Sequence, residues 1–479
     1  MTDHAPSPQR LATVAAALER IDLDLAGAEA VVLAGTARRL VAEYLLPRVT
    51  DPEADLVVAV VGVSGAGKST LVNSLARRRL TATGVRRPTT TEPVAWGPDT
   101  LPPTLDAMRR RLPGRMVDTL LPPPPGVVIL DTPPPDVRDV TGRAVCHDLL
   151  DVADACILVT AANRYADAAG FELARRAADR GVTTLFVLNR LPPTPELQRV
   201  LVADFADKLT RAGLMATAEP EGIIAIAEGV ISVEREGLAS EAVIGLRKAI
   251  DLIADPTARV AVMSRTVAGT TAQVQEALVV VRTALITAAA RRVELGDPVR
   301  LAYSSAGGQV AEAVRSGAFA EIKDDPEALV AALAAATARR AGRAALHSAD
   351  RWDRLGAATG AGLFTHGGET PQTARERFEW WQSELPRLAT ELSGRKVRPR
   401  RAVRLTAAAR DAVFDPGHEP DRRERRLLRR YPGLVAAAAE RLSEELAGIV
   451  ATDSTRFTSA LGPVLPSGII ADLDLETAP

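Results

Sequence analysis

The segment at residues 62–70 has the residue types and the spacing of a phosphate-binding loop. It reads Gly-Val-Ser-Gly-Ala-Gly-Lys-Ser-Thr and fits the pattern G-x4-G-K-S. Glycines let backbone N–H groups turn toward phosphate oxygens, and a helix that begins there points its positive dipole end at them. We expect Lys68 to reach the β- and γ-phosphates and Ser69 to place its hydroxyl on Mg²⁺. The predicted nucleotide contacts of this loop are Gly62, Ser64, Gly65, Ala66, Gly67, Lys68, Ser69 and Thr70.

An acidic residue at the end of a hydrophobic run is the second candidate. Residues 127–134 read Val-Val-Ile-Leu-Asp-Thr-Pro-Pro, which places Asp131 where a Walker B carboxylate would hold Mg²⁺. An Asp that merely starts a turn is the alternative. In GTPases the pattern continues as D-x-x-G, and the Gly amide contacts the γ-phosphate. Here that position is Pro134, which has no N–H, so that contact cannot be made.

A threonine-rich segment lies between these two motifs. Residues 85–93 read Val-Arg-Arg-Pro-Thr-Thr-Thr-Glu-Pro. In this position one Thr can close on Mg²⁺ and the γ-phosphate. Thr89, Thr90 and Thr91 are all candidates, and Thr90 is our choice as metal ligand and catalytic residue. A polar loop that happens to be rich in Thr is the alternative.

A base-reading loop is expected after the fourth apolar run. Residues 185–192 read Leu-Phe-Val-Leu-Asn-Arg-Leu-Pro. Asn189 fits the Asn of an N-K-x-D loop, and Arg190 could supply the stem that packs on the base. The acidic residue that pairs with guanine is replaced by Pro192. Guanine specificity is therefore weakened but not excluded, ATP stays open as the ligand, and an Asn that only caps the strand is the alternative.

The elements that must position these residues alternate between strand and helix. Five short apolar runs predict strands buried on both faces, and helical periodicity lies between them. We therefore predict an α/β P-loop NTPase domain with a mostly parallel sheet, whose ligand lies at the carboxyl ends of the strands. The predicted strands are 56–61, 127–130, 156–160, 184–188 and 223–227, and the helices are 68–79, 142–151, 168–180, 196–212 and 240–252.

The rest of the chain is predicted to be helical. Residues 11–46 have helical periodicity, with Gly27 and Gly35 as candidate divisions and Pro47 and Pro52 as its end, and strand patterns stop after residue 256. We divide the chain into an N-terminal helical segment (1–50), the P-loop domain (51–255), an all-α bundle joined by the N-terminal helix (256–465) and a frayed acidic tail (466–479). Helices in the bundle are predicted at 257–295, 299–316, 326–359, 373–391, 402–413 and 420–451.

Composition excludes several classes of protein. The chain has 479 residues and a formal net charge of -1, so no global charge argues for nucleic acid. Aromatic residues are 3% of the chain, which argues against a stacking platform for single strands. Two cysteines, no signal peptide and no spanning apolar run predict a reduced cytoplasmic protein. Basic clusters at 395–404 and 422–430 leave peripheral contact with the inner face of the membrane open, although a solvated face is the simpler interpretation.

The motifs together resemble the actinobacterial dynamin-family GTPases of the TRAFAC class. The resemblance rests on the loop order, the V-R-R-P-T-T-T segment, the D-T-P motif, the segment 164–167 (Arg-Tyr-Ala-Asp) and the N-R-x-P loop. It is specific over residues 1–255 and only helical beyond. It implies that Lys68 and Ser69 bind phosphate and Mg²⁺, Thr89 to Thr91 form switch I, Asp131 serves Mg²⁺ and Asn189 faces the base. It also implies GTP as ligand and a homo- or hetero-oligomer with a related GTPase.

Two functions remain open. The first is a dynamin-like GTP-binding protein with slow or partner-dependent hydrolysis, coupled to domain rearrangement and assembly. The second is a pseudo-GTPase scaffold that holds GTP or ATP without turnover and pairs with an active relative. The departures favour weak hydrolysis, because dynamins carry Gln-Ser where this chain has Ser64 and Gly65, and because Pro134 and Pro192 replace two further family residues.

Overall fold

The structure, a computed structural model, describes ten stretches of the chain, and all structural statements refer to these. They are residues 6–21, 27–81, 93–97, 102–109, 115–117, 125–135, 140–357, 370–462, 465–466 and 468–475. Their contacts divide the chain into two compact units. The first contains residues 1–285 with 466–479, and the second contains residues 286–465. Each is described by itself.

A mostly parallel sheet of seven strands forms the centre of the first unit, as predicted. The strand order is β3-β2-β4-β1-β5-β6-β7. Among the strands in the described residues only the pairing of β2 with β4 is antiparallel, and the parallel register of β1 with β4 sets Val60 beside Asp131. The strands are β1 (Leu56–Val61), β2 (Val94–Trp96), β3 (Arg115–Val117), β4 (Val127–Asp131), β5 (Ala155–Ala161), β6 (Thr183–Leu191) and β7 (Ile223–Ala227).

The five predicted strands all form, because their continuous apolar runs fill both faces of the sheet. Every residue of β1 and β5 is buried. The two short strands at one side of the sheet, β3 at the edge and β2 next to it, were not predicted, since three residues are too few to show a period. Strand β6 is longer than predicted and continues through Asn189, with a register shift against β7 between Leu188 and Leu191. That shift changes which way the end of the strand faces, just beside the predicted base loop.

The helices of the first unit lie before, between and after these strands. In the described residues between 8 and 50 the chain forms three α-helices and a π-helix, and of the two predicted divisions only the one at Gly27 separates helices. The helices are α1 (Pro8–Arg20), α2 (Ala28–Arg39), the π-helix Leu40–Leu45, α3 (Leu46–Thr50), α4 (Lys68–Ala76), α5 (Pro103–Arg109), α6 (Val140–Asp151), α7 (Ala168–Asp179), α8 (Pro195–Arg211), α9 (Ile244–Ala254), the start of α10 (Pro256–Arg315) and α17 (Ile469–Asp472).

Of the two prolines predicted to end the N-terminal helix, Pro47 does not end it. The helical chain continues to Thr50, just before Pro52. Leu45 and Leu46 are already helical, so Pro47 lies directly after the wider turns of the π-helix, within one continuous helical segment. Gly27, in contrast, does mark a boundary: its φ of 87° precedes α2. Gly35 lies inside α2, where the helix absorbs it.

A buried carboxylate ties the N-terminal helices and α10 to the sheet. Asp154, just before β5, accepts hydrogen bonds from the Tyr44 hydroxyl (2.9 Å) and the Val57 N–H (2.7 Å) and pairs with Arg48. Its backbone carbonyl accepts a hydrogen bond of 3.0 Å from the Thr266 hydroxyl on α10. Burial, and after it the Asp154 charge, raises the pKa of Tyr44 well above its usual value. Three segments distant in sequence are thus anchored at one point.

Residues 468–475 pack within the first unit rather than fraying, and the last four residues of the predicted tail lie outside the described residues. Arg10 donates to the carbonyl of Ala471 at 2.7 Å, and the side chains of Leu473 and Leu475 are buried. Asp474 pairs with Arg282 on α10 at 3.3 Å. The prediction rested on the acidic residues alone; the leucines that alternate with them supply the apolar contacts that hold residues 472–475 in place.

The second unit is helical, as predicted. Its core contains Phe378, Trp381 and Phe414, whose rings contact one another. No helix in the described part of the chain is long and apolar enough to cross a membrane. Besides the end of α10, the helices are α11 (Pro326–Arg354), α12 (Thr370–Ser393), α13 (Pro399–Phe414), α14 (Arg422–Leu428), α15 (Leu434–Asp453) and α16 (Thr455–Ala460).

Two predicted helix boundaries in this unit are wrong. The break expected before Val299 is absent, and Pro298 lies inside α10. The cost of a proline in a helix interior is about 3 kcal/mol, and the burial of Leu295, Val299 and Tyr303 on one face offsets it. Conversely, the helix predicted over 420–451 is split, because Gly433 with a φ of 82° separates α14 from α15.

Candidate functional site

The predicted phosphate loop connects the end of β1 to the start of α4. Two of its glycines have no room for a side chain. A Cβ on Gly62 (φ 147°) would lie 2.1 Å from the carbonyl oxygen of Val159, and one on Gly67 (φ 99°) would lie 2.4 Å from Nδ2 of Asn189. The loop is therefore pressed against β5 and β6, and its glycines are required for close approach as well as for backbone shape.

Lys68 is the first residue of α4 and is buried. Its Nζ donates a hydrogen bond of 2.8 Å to the carbonyl oxygen of Gly62, so the side chain bends back over the loop. The first turn of α4 also leaves backbone N–H groups without intrahelical acceptors. A buried ammonium and a helix N-terminus on one loop form a site for a polyanion.

The oxygen ligands predicted for Mg²⁺ lie together. Ser69 Oγ donates to Asp131 Oδ2 at 2.7 Å, and Asp131 is fully buried at the end of β4. Its Oδ1 has no hydrogen-bond partner in the described part of the chain. Burial raises the pKa of Asp131, and the charge of Lys68, the hydrogen bond from Ser69 and the nearby Thr81 hydroxyl oppose that rise. A buried carboxylate oxygen without a partner beside a hydroxyl fits a hard cation such as Mg²⁺.

The predicted third ligand cannot be placed. Thr89, Thr90 and Thr91 lie outside the described residues, so the assignment of Thr90 as metal ligand and catalytic residue stays a prediction. Past Asp131, the Thr132 hydroxyl donates to the Val60 carbonyl at 2.9 Å and is therefore engaged with β1. Pro134 is buried and offers no N–H.

Asn189 is positioned against the phosphate loop. Its Nδ2 donates to the carbonyl oxygen of Ala66 at 2.9 Å, while its Oδ1 accepts the N–H of Arg190 at 2.9 Å. Arg190 has a φ of 55° and an exposed side chain. The structure thus brings Asn189 to the phosphate loop, and contact of Asn189 or Arg190 with a base stays a prediction.

A residue without an assigned role in the sequence analysis also contacts the loop. Arg164, in the turn after β5, donates from Nη1 to the carbonyl oxygen of Ser64 at 3.0 Å. Its Nη2 pairs with Asp167 at 2.5 Å. In the sequence, the segment 164–167 is marked only by its resemblance to dynamin-family GTPases. The signal that could have identified Arg164 is its place at the carboxyl end of β5, the strand next to β1.

Comparison with known proteins identifies the domain that carries this site. Residues 57–190 match the family model described as 50S ribosome-binding GTPase. This region holds β1, the phosphate loop, Asp131 and Asn189 in the order of a P-loop GTPase domain, so the predicted fold class is confirmed. No curated protein matches the chain significantly.

Two solved structures are similar to the chain over most of its length. Both are described as an oligomerised bacterial dynamin pair that provides a mechanism for long-range sensing and tethering of membranes. The first has 11% identity and a TM-score of 0.37, with 95% of each chain covered. The second has 11% identity and a TM-score of 0.28, with 97% of this chain and 78% of the other covered. Neither TM-score reaches 0.5, so these two similarities do not show the function of the chain.

Proposed function

We propose that the chain is a Mg²⁺-dependent GTP-binding protein, dynamin-like, whose GTP hydrolysis is slow or dependent on a partner. The observation that carries the proposal is the constellation of Lys68 and Ser69, where the phosphate loop enters α4, with Asp131 at the end of β4. The GTPase family model over residues 57–190 supports GTP as the nucleotide. Mg²⁺ held by Ser69 and Asp131 would neutralise charge on the phosphate oxygens.

The chain's own groups divide the work at this site. The N–H groups at the start of α4 and the Lys68 ammonium bind the phosphates and fix their orientation. Asn189 holds the loop through Ala66 and so keeps the phosphate cradle in shape before a ligand arrives. This preorganisation lowers the cost of binding, because the loop does not have to be ordered by the nucleotide.

Slow hydrolysis is the expected consequence of the residues near the γ-phosphate. Pro134 removes the backbone donor that a D-x-x-G glycine provides. Ser64 and Gly65 replace the Gln-Ser pair of the family that the sequence resembles, and that pair helps to position water. A partner or a second copy could supply the missing groups, and we propose assembly with a related GTPase for this reason.

The second candidate function is a pseudo-GTPase scaffold, which binds nucleotide without significant turnover and pairs with an active relative. Pro192, at the position of the guanine-pairing acid, favours it and also keeps ATP open as the ligand. Both candidates use the same phosphate loop. They differ in hydrolysis.

We propose that the four segments inferred from the sequence act as functional parts, with nucleotide state coupled to rearrangement of the helical part. We further propose a cytoplasmic location, with peripheral contact at the inner face of the membrane. The second proposal is supported by six exposed basic side chains for which no ion pair is found in the described part of the chain. They are Arg395, Lys396, Arg398, Arg400, Arg401 and Arg404.

A turnover assay at high protein concentration separates the two functions. GTP hydrolysis is measured with and without liposomes, with Lys68→Ala as the control. Hydrolysis well above the control supports the first function, and tight binding without turnover supports the scaffold. Binding that is unaffected by Lys68→Ala would contradict both, because the ammonium is the cation expected at the β- and γ-phosphates.

A further inference from the structure

The turn after β5 holds a guanidinium in a fixed position beside the phosphate loop. The N–H of Arg164 donates to the carbonyl of Ala161 at 2.8 Å, and its own carbonyl accepts from the Thr160 hydroxyl at 3.2 Å and from the N–H of Asp167 at 3.0 Å. Three hydrogen bonds therefore define the backbone from which the side chain extends.

The guanidinium itself is held from two sides. Nη1 donates to the carbonyl of Ser64, and Nη2 pairs with Oδ2 of Asp167. Asp167 is fixed in turn, because its Oδ1 accepts the N–H of Ala169 and caps α7. A side chain supported in this way loses little conformational entropy when a ligand arrives. The Arg164 side chain is 37% exposed, so it is anchored and still open to solvent.

The place of this contact on the loop is informative. Ser64 lies between Gly62 and Gly67. A Cβ on either glycine would collide with an atom of β5 or β6, so this part of the loop packs closely on those two strands. Lys68 bends over the same loop from the start of α4. Thus two cations, one on α4 and one after β5, contact the backbone of the loop that would wrap the phosphates.

The opposite side of the site lacks a donor that a GTPase usually has. Pro134 has no N–H, and the Thr132 hydroxyl is engaged with Val60. A terminal phosphate adds negative charge to the ligand without a backbone donor from residue 134 to meet it. A fixed guanidinium is suited to that charge, because it presents several donors in a planar fork.

We propose that Arg164 is a specificity-determining residue that favours a nucleoside triphosphate over a diphosphate. It would do so by placing its guanidinium beside the terminal phosphate. This inference rests on the proposed function, since it concerns the same nucleotide site. Asp167 acts as a positioning residue that holds Arg164 in place.

The test compares two ligands on the full-length chain. Binding of GDP and of a non-hydrolysable GTP analogue, both with Mg²⁺, is measured by calorimetry for wild type, Arg164→Ala and Arg164→Lys. A hydrogen bond to a charged group predicts that Arg164→Ala weakens the GTP analogue about tenfold and GDP less than about twofold. Arg164→Lys keeps the charge and loses the fork, so it should restore part of the preference. Arg175→Ala, an exposed arginine on α7, is the matched control and should leave both affinities unchanged.

Several outcomes would overturn the assignment. Equal weakening of both ligands by Arg164→Ala would mean that the residue only holds the loop through Ser64. No weakening of either would mean that the contact is incidental. Failure of the wild-type chain to bind either guanine nucleotide would instead overturn the proposed function, and this inference with it.

Discussion

At the residue scale, the residues proposed to bind phosphate and Mg²⁺ have the polar groups that this binding needs. The residue proposed to face the γ-phosphate lacks the hydrogen-bond donor that hydrolysis needs. Lys68, Ser69 and Asp131 are held by hydrogen bonds of 2.7 and 2.8 Å, and Asp131 keeps one buried oxygen without a partner. On the other side, Pro134 gives no donor. These residues therefore favour binding of a Mg²⁺-nucleotide over its rapid hydrolysis.

Pro134→Ala restores a backbone N–H at the position where a GTPase has its Gly amide. If the missing N–H limits hydrolysis, the rate of GTP turnover should rise about tenfold. This is a small effect for a hydrogen-bond donor that faces charge developing in the transition state. Single-turnover hydrolysis with saturating protein measures the chemical step alone. Pro133→Ala is the matched control, because it is adjacent and also buried, and it should give no rise. Bound GTP with unchanged turnover in both variants would contradict this account of Pro134.

A second prediction concerns a buried thiol. Cys156 lies on β5, its Sγ is 3.2 Å from the Thr184 hydroxyl, and burial raises the pKa of the Cys156 thiol to about 12 from 9.0. The unfolded thiol loses its proton first. The thiol's contribution to stability is therefore complete below pH 9 and is lost as pH rises toward 12.

The check is urea unfolding of wild type and Cys156→Val at about pH 8 and about pH 10.5. Wild type should lose about 2 kcal/mol more than the variant between these pH values. Other titrating groups are common to both proteins and cancel in the comparison. An equal loss in both would show that the Cys156 thiol does not titrate differently in the folded chain.

The sequence identified single site residues only where glycine spacing or the end of an apolar run fixes their position. The glycine spacing located Lys68 and Ser69, and the end of an apolar run located Asp131. Arg164 was not identified, because its contact with Ser64 joins residues a hundred positions apart. The Asp154 cluster was missed for the same reason, since Tyr44, Arg48 and Thr266 meet only in three dimensions.

At the element scale, buried strands were the most predictable part of the fold. A run such as β1, apolar at every position, has few alternatives to a strand covered on both faces. Helix ends were less predictable, as α10 shows: local sequence marks Pro298 as a break, and the burial of Leu295, Val299 and Tyr303 overrides it. At helix ends, the local conformational preference of a residue competes with tertiary packing. Only the local preference can be inferred from a short stretch of sequence.

Two glycines of α10 should respond to alanine in opposite directions. A Cβ on Gly269 would lie 2.4 Å from the carbonyl oxygen of Arg180, in the turn before β6, so Gly269→Ala should destabilise the chain by about 1–3 kcal/mol. At Gly308 no described atom beyond its own stretch of α10 lies within 4 Å of the same position, so Gly308→Ala should stabilise the chain by about 0.5–1 kcal/mol through helix propensity. Urea unfolding of both variants is the measurement. A stabilising Gly269→Ala would contradict the close packing of α10 on that turn.

At the scale of the whole molecule, one boundary between the two compact units falls inside α10 in the sequence, between residues 285 and 286. The boundary inferred from the sequence, at residue 256, lies instead between α9 and α10. By their contacts, the N-terminal helices and the last helix, α17, belong to the first unit, together with the sheet and the phosphate loop. Sequence periodicity could not show this, since it describes each helix and not what covers it.

The most direct test of the central claim is a competition titration with GTP, ATP, CTP and UTP in the presence and absence of Mg²⁺, followed by sizing of the complex. The account predicts that GTP binds in preference to the others, that removal of Mg²⁺ weakens binding, and that Lys68→Ala abolishes it. A clear preference for ATP would contradict GTP as the ligand. Nucleotide binding that survives in Lys68→Ala would contradict the assignment of the site to the loop at residues 62–70.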